Sequence, residues 1–492
     1  MSLKTNIAAN YASQLYVTLV GILMVPLLIK YMGAEAYGLV GFFAMLQVCF
    51  NLLDMGLSPT TSRESARFHG GAISVLEYRR LARALEGLFG LIALAGGVLL
   101  FALAEPIAAY WLNTDHLPAD ETLTSLRLMA LIVALRWMSG FYRGVITGAE
   151  RLVWLSGMNS AVASGRFVLV LPMLMFFSAA PWVFFAFQLL VAVLELMGLV
   201  IQSYRLLPAI PAGQRIQWQW APIKPLLKFS MSIAFTTSVW VLVTQTDKLV
   251  LSKILSLADY GYFSVAVLLA SGIMIVSGPI SSALMPRLAR LQAEGQHEQL
   301  IALYRQATQM VTVVVAPIAL VLAFFSSQVL WAWTGNAELV SKAAPTLTLY
   351  SVGYGFLAVG AFPYYLQYAK GDLKLHLIGN ALFVVVLIPS VIWVSNVYGM
   401  TGAGWAWLVS NAVYFFGWIP LVHHRFAPGL HSKWLIKDVL RTTLPALVLV
   451  LVAANQITWS QQRWILLCEL LIAGIFLLIV LSYLQSKKYF FK

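Results

Sequence analysis

Charge is scarce in this chain. Of its 492 residues only 10% are Asp, Glu, Lys or Arg, where a soluble domain carries about a quarter. A water-soluble protein is thereby excluded. Cysteine is nearly absent as well. Cys49 and Cys468, each inside an apolar stretch, offer neither a disulfide framework nor a thiolate metal site, and buried free cysteine behaves as a small hydrophobe. HExxH, CxxC, GxGxxG and P-loop patterns are all missing. The seven histidines, His69, His116, His297, His376, His423, His424 and His431, fall in or beside polar connections. No metal and no other cofactor is expected.

Apolar residues supply the rest, 60% of the chain. A bilayer crossing needs roughly 20 consecutive, mostly apolar residues. Runs bounded by charged or Gly/Pro-rich breaks predict about 14 such spans, from 10–32 and 37–60 through to 439–458 and 463–484. The opening MSLKTNIAANYASQLY runs straight into a full-length span with no small-residue cleavage site, so it reads as a first transmembrane helix and not as a removed signal peptide. The expected fold class is an all-α, polytopic membrane protein.

An even number of spans puts both termini on one side, and Lys and Arg choose the side. With the N-terminus in the cytoplasm, 23 of the 32 basic residues fall in cytoplasmic segments and four at the outer edge (Lys30, Lys253, Lys342 and Arg463). The formal net charge of +13 therefore belongs to the cytoplasmic face, where anionic lipid accounts for it; no nucleic-acid partner is needed. The expected location is the bacterial inner membrane with both termini cytoplasmic. The outer connections are short, GAEAYG and SAAP among them, with the longest near NTDHLPADE. They leave no room for the large periplasmic loop of a membrane polymerase, or for the acidic loop of an integral glycosyltransferase.

An internal repeat organises the spans. A shift of 223 residues places Leu28 on Leu251, Lys30 on Lys253, Tyr37-Gly38 on Tyr260-Gly261 and Ala66-Arg67 on Ala289-Arg290. The framework K-x6-YG-x27-AR thus occurs twice at one spacing, on spans 1–2 and 7–8. This predicts two pseudo-symmetric six-helix lobes, residues 1–205 and 226–425, joined by a cytoplasmic linker over 206–225. Two extra C-terminal helices follow within 439–484. Six is even, so both units insert the same way round, the parallel-repeat arrangement that serves alternating access.

The residues that carry this repeat are also the most recognisable. NYASQLYVTLVGILMVPLLIKYMGAEAYG followed by LLDMGLSPTTSRESAR, and in the second half TDKLVLSKILSLADYGYFSVAVLL, resemble the matching segments of Wzx-type O-antigen and polysaccharide flippases. That superfamily also includes the lipid II flippase and the multidrug and toxin extrusion transporters. The resemblance implies a two-lobed transporter, not an enzyme. It would move an undecaprenyl-pyrophosphate-linked oligosaccharide from the cytoplasmic to the periplasmic leaflet. Its expected partners are that lipid-linked oligosaccharide, the bilayer, and the polysaccharide polymerase and glycosyltransferases of the same pathway. Lipid II or an amphipathic small molecule is the alternative cargo, and the span count of 14 keeps the lipid II reading open.

Charges inside the membrane must carry any mechanism. Arg127, Arg136 and Arg143 lie on span 4 and Arg166 lies near the middle of span 5. A mid-span Arg costs roughly 2.5–3.5 kcal/mol on insertion scales, so Arg136 and Arg166 should not face lipid. At 100° per residue Arg136 and Arg143 share a face and Arg127 points away. Guanidinium groups bind diphosphate through bidentate, charge-assisted hydrogen bonds, which makes these four the candidate substrate-binding residues. Arg143 and Arg127 can instead snorkel to an interface. Asp54, Glu195, Asp247 and Lys248 are candidates for coupling or charge pairing, since a buried carboxylate is either neutral or paired. For Asp54 a structural hydrogen bond, and for Asp247-Lys248 a plain ion pair, are the competing readings.

Overall fold

The computed structural model describes residues 3–54, 56–210 and 216–490; residues 211–215, inside the expected linker, lie outside them. Among the described residues the backbone is helical apart from short connections and one isolated bridge between Asn113 and Ser256. Helix is what hydrocarbon demands, because every backbone N–H and C=O must find its partner within the segment.

The helices in chain order are α1 (Leu3–Phe50), α2 (Leu57–His69), α3 (Val75–Pro106), α4 (Ala119–Gly148), α5 (Leu152–Ala163), α6 (Val170–Phe176), α7 (Pro181–Leu206), α8 (Lys224–Ile254) and α9 (Leu257–Ser271). They continue as α10 (Ile273–Ala293), α11 (His297–Phe324), α12 (Ser326–Thr334), α13 (Ala337–Gly360), α14 (Phe362–Ala369) and α15 (Lys374–Val413). The chain closes with α16 (Ile419–Phe426), α17 (Leu430–Trp434), α18 (Arg441–Gln456) and α19 (Arg463–Phe490). π-helical turns at Ser164–Leu169, Tyr414–Trp418 and Leu435–Leu440 bridge neighbouring helices.

Nine helical stretches among the described residues are long and apolar enough to cross a bilayer. Two of them are double-length. The stretch Ala8–Asp54 has 47 residues, about 70 Å at 1.5 Å per residue, against a hydrocarbon core of about 30 Å. It breaks at Gly33, whose φ of 84° and ψ of 165° are not helical, so it provides two crossings. Lys374–Phe426, with 53 residues, breaks in the same way at Gly399, φ 58°. α18, within another expected span, has 16 residues. The class, an all-α polytopic membrane protein, stands, and the nine stretches do not fix the number of crossings at fourteen.

The chain forms two compact units, one up to Gly261 and one from Tyr262 onward. In the first, α4 is the central helix and packs on α2, α3 and α7. Gly140, Gly144 and Gly148 recur every fourth residue on α4. A Cβ added at any of them would overlap α2, at Ser58, at Thr61, and at Ser62 and Ser65 respectively. This small-xxx-small stripe lets two backbones approach closely, and Ser65 Oγ donates across the contact to the carbonyl of Val145 at 2.9 Å.

In the second unit α13 packs on both α11 and α15, and across its contact with α15 Tyr350 stacks on Trp407, with ring centroids 5.7 Å apart. The C-terminal helices are fixed to α11 at one end by an ion pair, Arg305 Nε to Asp438 Oδ2 at 2.6 Å and Nη2 to Oδ1 at 2.8 Å. Gln309 Nε2 donates to the same carboxylate. Further along, Leu466, Leu470 and Leu477 of α19 bury against Phe325, Ala332 and Val450.

Candidate functional site

In the first unit, α4 and α7 run alongside each other in the same direction, and their polar residues form rungs. Arg136 and Arg143 are seven residues apart on α4, hence about 20° apart around the helix. Gln188 and Glu195 hold the same spacing on α7. Arg136 Nη2 donates to Gln188 Oε1 at 3.3 Å, and Arg143 Nη2 donates to Glu195 Oε1 at 2.5 Å. Both rungs join residues 52 apart in sequence, the signature of two parallel helices in register.

A third arginine reaches the rungs from the π turn Ser164–Leu169. Such a turn interrupts the i→i−4 ladder and is frequently found at functional sites. Here Gln188 Nε2 donates to the Arg166 carbonyl at 2.8 Å, while Arg166 Nε donates to Gln188 Oε1 at 3.3 Å. One neutral amide oxygen therefore serves two guanidinium groups. Gln188 itself is 1% exposed.

Arg136, Arg143, Arg166 and Glu195, but not Gln188, line a cavity of about 530 Å³ that also takes in Asn159 of α5 and one face of α1, formed by Asn10, Ser13, Gln14 and Thr18. Three guanidiniums and one carboxylate face it, an excess of two positive charges. The three cations are not equivalent. Arg143 is spent on Glu195 and on Asn159 Oδ1 at 2.6 Å. Arg136 lies over the ring of Phe43, 5.6 Å from its centroid, and Arg166 over Phe167, 5.2 Å away. Arg136 Nε and Nη1 are buried and have no hydrogen-bond partner among the described residues. Unsatisfied buried donors are costly, and a guanidinium at mid-span doubly so. An anion with two negative charges in the cavity would balance the charge.

The remaining sequence candidates lie elsewhere. Arg127 is exposed, its guanidinium 5.4 Å from the centroid of the Phe101 ring, and it does not line the cavity. Asp54 caps the N-terminus of α2, accepting from the Ser58 N–H at 3.2 Å and from its hydroxyl at 2.5 Å. Asp247, 2% exposed, lies 3.3 Å from Lys248 Nζ, which also donates to the Thr244 carbonyl at 2.5 Å. Sequence reasoning missed Gln188, Asn159 and the polar face of α1. The last was visible: Asn10, Ser13, Gln14 and Thr18 recur at helical spacing in an otherwise apolar span.

A second cavity, of about 420 Å³, lies in the second unit between the two arms of α15 on either side of Gly399. Leu382, Val386, Val409 and Val413 line it with the aromatic rings of Phe383, Trp405, Tyr414 and Trp418, and no charged side chain borders it.

Comparison with known proteins agrees with this architecture. A protein named as an O-antigen transporter in Shigella flexneri is 18% identical over 409 residues, covering 83% of this chain and 95% of that one. Another of that name, in Salmonella typhi, is 22% identical over 293 residues, 60% of this chain and 66% of that one. Among solved structures, the lipid II flippase MurJ in an inward closed conformation superposes with a TM-score of 0.76 at 15% identity, covering 98% of this chain and 99% of that one. An inward-facing multidrug resistance transporter of the MATE family gives 0.67 at 13% identity, over 86% and 96%. These likenesses establish the shared fold. A model of the polysaccharide biosynthesis protein family matches residues 3–292, more than half of the chain, and the chain belongs to that family.

Proposed function

We propose that this protein is a flippase that carries an undecaprenyl-pyrophosphate-linked oligosaccharide, an O-antigen or exopolysaccharide repeat unit, from the cytoplasmic to the periplasmic leaflet of the inner membrane. It works by alternating access between two six-helix lobes, and both termini are cytoplasmic. No covalent step is required of it, so it is a transporter and not an enzyme. It would act between the glycosyltransferases that build the repeat unit and the polymerase that consumes it. The observation that carries this reading is the sharing of one neutral acceptor, Gln188 Oε1, between Arg136 and Arg166, both of which line a cavity with two excess positive charges. Diphosphate is the dianionic part of a lipid-linked sugar, and the guanidinium fork matches its oxygens.

The test is complementation of a flippase deletion. Arg136→Ala and Arg166→Ala should each abolish export while membrane levels stay normal. Lys at either site should rescue in part, since it keeps the charge and loses the bidentate fork. Wild-type export by either Ala variant would remove these arginines from the transport step. Lipid II is the second reading, and the 98% of this chain covered by the lipid II flippase structure is what favours it. The lipid-linked glycan that accumulates in a deletion strain separates the two.

A further inference from the structure

In the second unit a pocket of about 480 Å³ opens between the α12–α13 corner and the connection from α18 to α19. Such a volume falls within the roughly 300–1,000 Å³ of small-molecule sites. Two indoles, Trp331 and Trp459, line it together with the hydroxyls of Ser327, Ser341 and Ser460 and the side chain of Gln328. Lys, Arg, Asp and Glu are absent from its lining.

The frame is rigid. Trp331 Nε1 donates to the Gln461 carbonyl at 3.4 Å, and Trp459 packs edge-on to Phe325 with centroids 4.9 Å apart. Glu469 accepts from the Ser460 N–H at 3.0 Å, and Arg463 Nη2 donates to the Trp333 carbonyl at 3.0 Å, which ties the connection to the end of α12. Indoles at this level of a membrane protein commonly serve as interfacial anchors. Trp464, 78% exposed on the same segment, has the exposure of an anchor. Trp331 and Trp459 are instead held partly buried around a hollow whose other walls combine hydroxyls and amides with the aliphatic side chains of Ala337, Val340 and Leu466.

We propose that this pocket binds a neutral saccharide, with the indoles taking the C–H faces of a pyranose ring and Gln328, Ser327 and Ser341 its hydroxyls. Each chemical element has its counterpart. Aromatic rings are large, stiff apolar platforms with a polar edge, and amides and hydroxyls both donate and accept, as sugar hydroxyls do. A phosphate or a carboxylate would need a cation, and the lining holds none. In the topology proposed above the pocket faces the periplasm, so the saccharide is the glycan of the cargo after it has crossed. That identification rests on the flippase reading; binding of a free sugar does not.

The experiment uses the full chain in lipid nanodiscs, with chitotriose and maltotriose as probes and saturation-transfer NMR as the readout. The wild-type chain should transfer saturation to at least one of the two sugars. Trp331→Ala and Trp459→Ala should weaken binding about tenfold, which is about 1.4 kcal/mol. Gln328→Ala removes a hydrogen-bonding group without opening the core, and should weaken binding in the same direction if either Trp variant fails to fold. Absence of transfer to both sugars, or equal transfer to the wild-type and Gln328→Ala chains, overturns the proposal. Export by Arg136→Ala is a separate measurement, so failure of the flippase reading and failure of the sugar pocket are told apart.

Discussion

The two large hollows inside the membrane, the arginine cavity of the first unit and the groove between the arms of α15, have similar volumes and opposite chemistry. The first holds three guanidiniums, a carboxylate and several amides; the second is bordered by aliphatic and aromatic side chains with no charge. In water an apolar hollow would be the conspicuous one. In a bilayer the order reverses, because lipid chains fill an apolar groove at no electrostatic cost, whereas each mid-span arginine costs roughly 2.5–3.5 kcal/mol unless something satisfies it. A splayed helix pair can leave the groove as a by-product. The arginine cavity persists against a standing penalty, which points to a ligand.

Exchanging the chemistry of the two hollows tests that contrast. Val386 is 54% exposed on the first arm of α15, and Val386→Arg should cost roughly 2.5–3.5 kcal/mol of insertion free energy, read as a large fall in the folded, membrane-inserted fraction. Gln188→Glu makes the opposite change beside the first cavity, setting a carboxylate against both Arg136 and Arg166. The protein should become more heat-stable, while export falls about 10- to 150-fold, the range of a charge-assisted hydrogen bond worth roughly 1.5–3 kcal/mol. Export unchanged in Gln188→Glu would show that the two arginines are not the anion site. The smallest effect belongs to Leu382→Ala in the groove, where half-exposed Leu382 loses only lipid contact. Stability should move by less than about 0.5 kcal/mol and export not at all; a clear export defect would make the groove a site in its own right.

Much of the first hollow was legible in the sequence because charge in an apolar span stands out and helical geometry converts spacing into direction. Arg136 and Arg143 share a face by their seven-residue separation, and Glu195 is a lone carboxylate in its span. Gln188 was not legible. It is neutral, and its meaning depends on α4 and α7 running parallel at an offset of 52, which no local pattern encodes. Asp54 shows the reverse: it stood out as an embedded acid, yet its oxygens cap the first turn of α2. At the level of the fold, hydropathy exposed the helices and separated spans 10–32 and 37–60; the backbone angles add that a single glycine makes the break, at Gly33 as at Gly399.

The π turn at Ser164–Leu169 makes the length of the chain a determinant of the site, separate from its letters. It holds more residues per turn than the helices it joins. Loss of one residue there would let α5 and α6 fuse into a regular α-helix, in which the tightened turn offsets the missing residue for the chain beyond while Arg166 itself changes its place on the helix. Arg166 would then swing away from the cavity, and its carbonyl would return to the helical ladder, out of reach of Gln188. A deletion here would therefore be far more damaging than most single substitutions, and insertions and deletions should be excluded from this stretch even where its apolar residues drift freely.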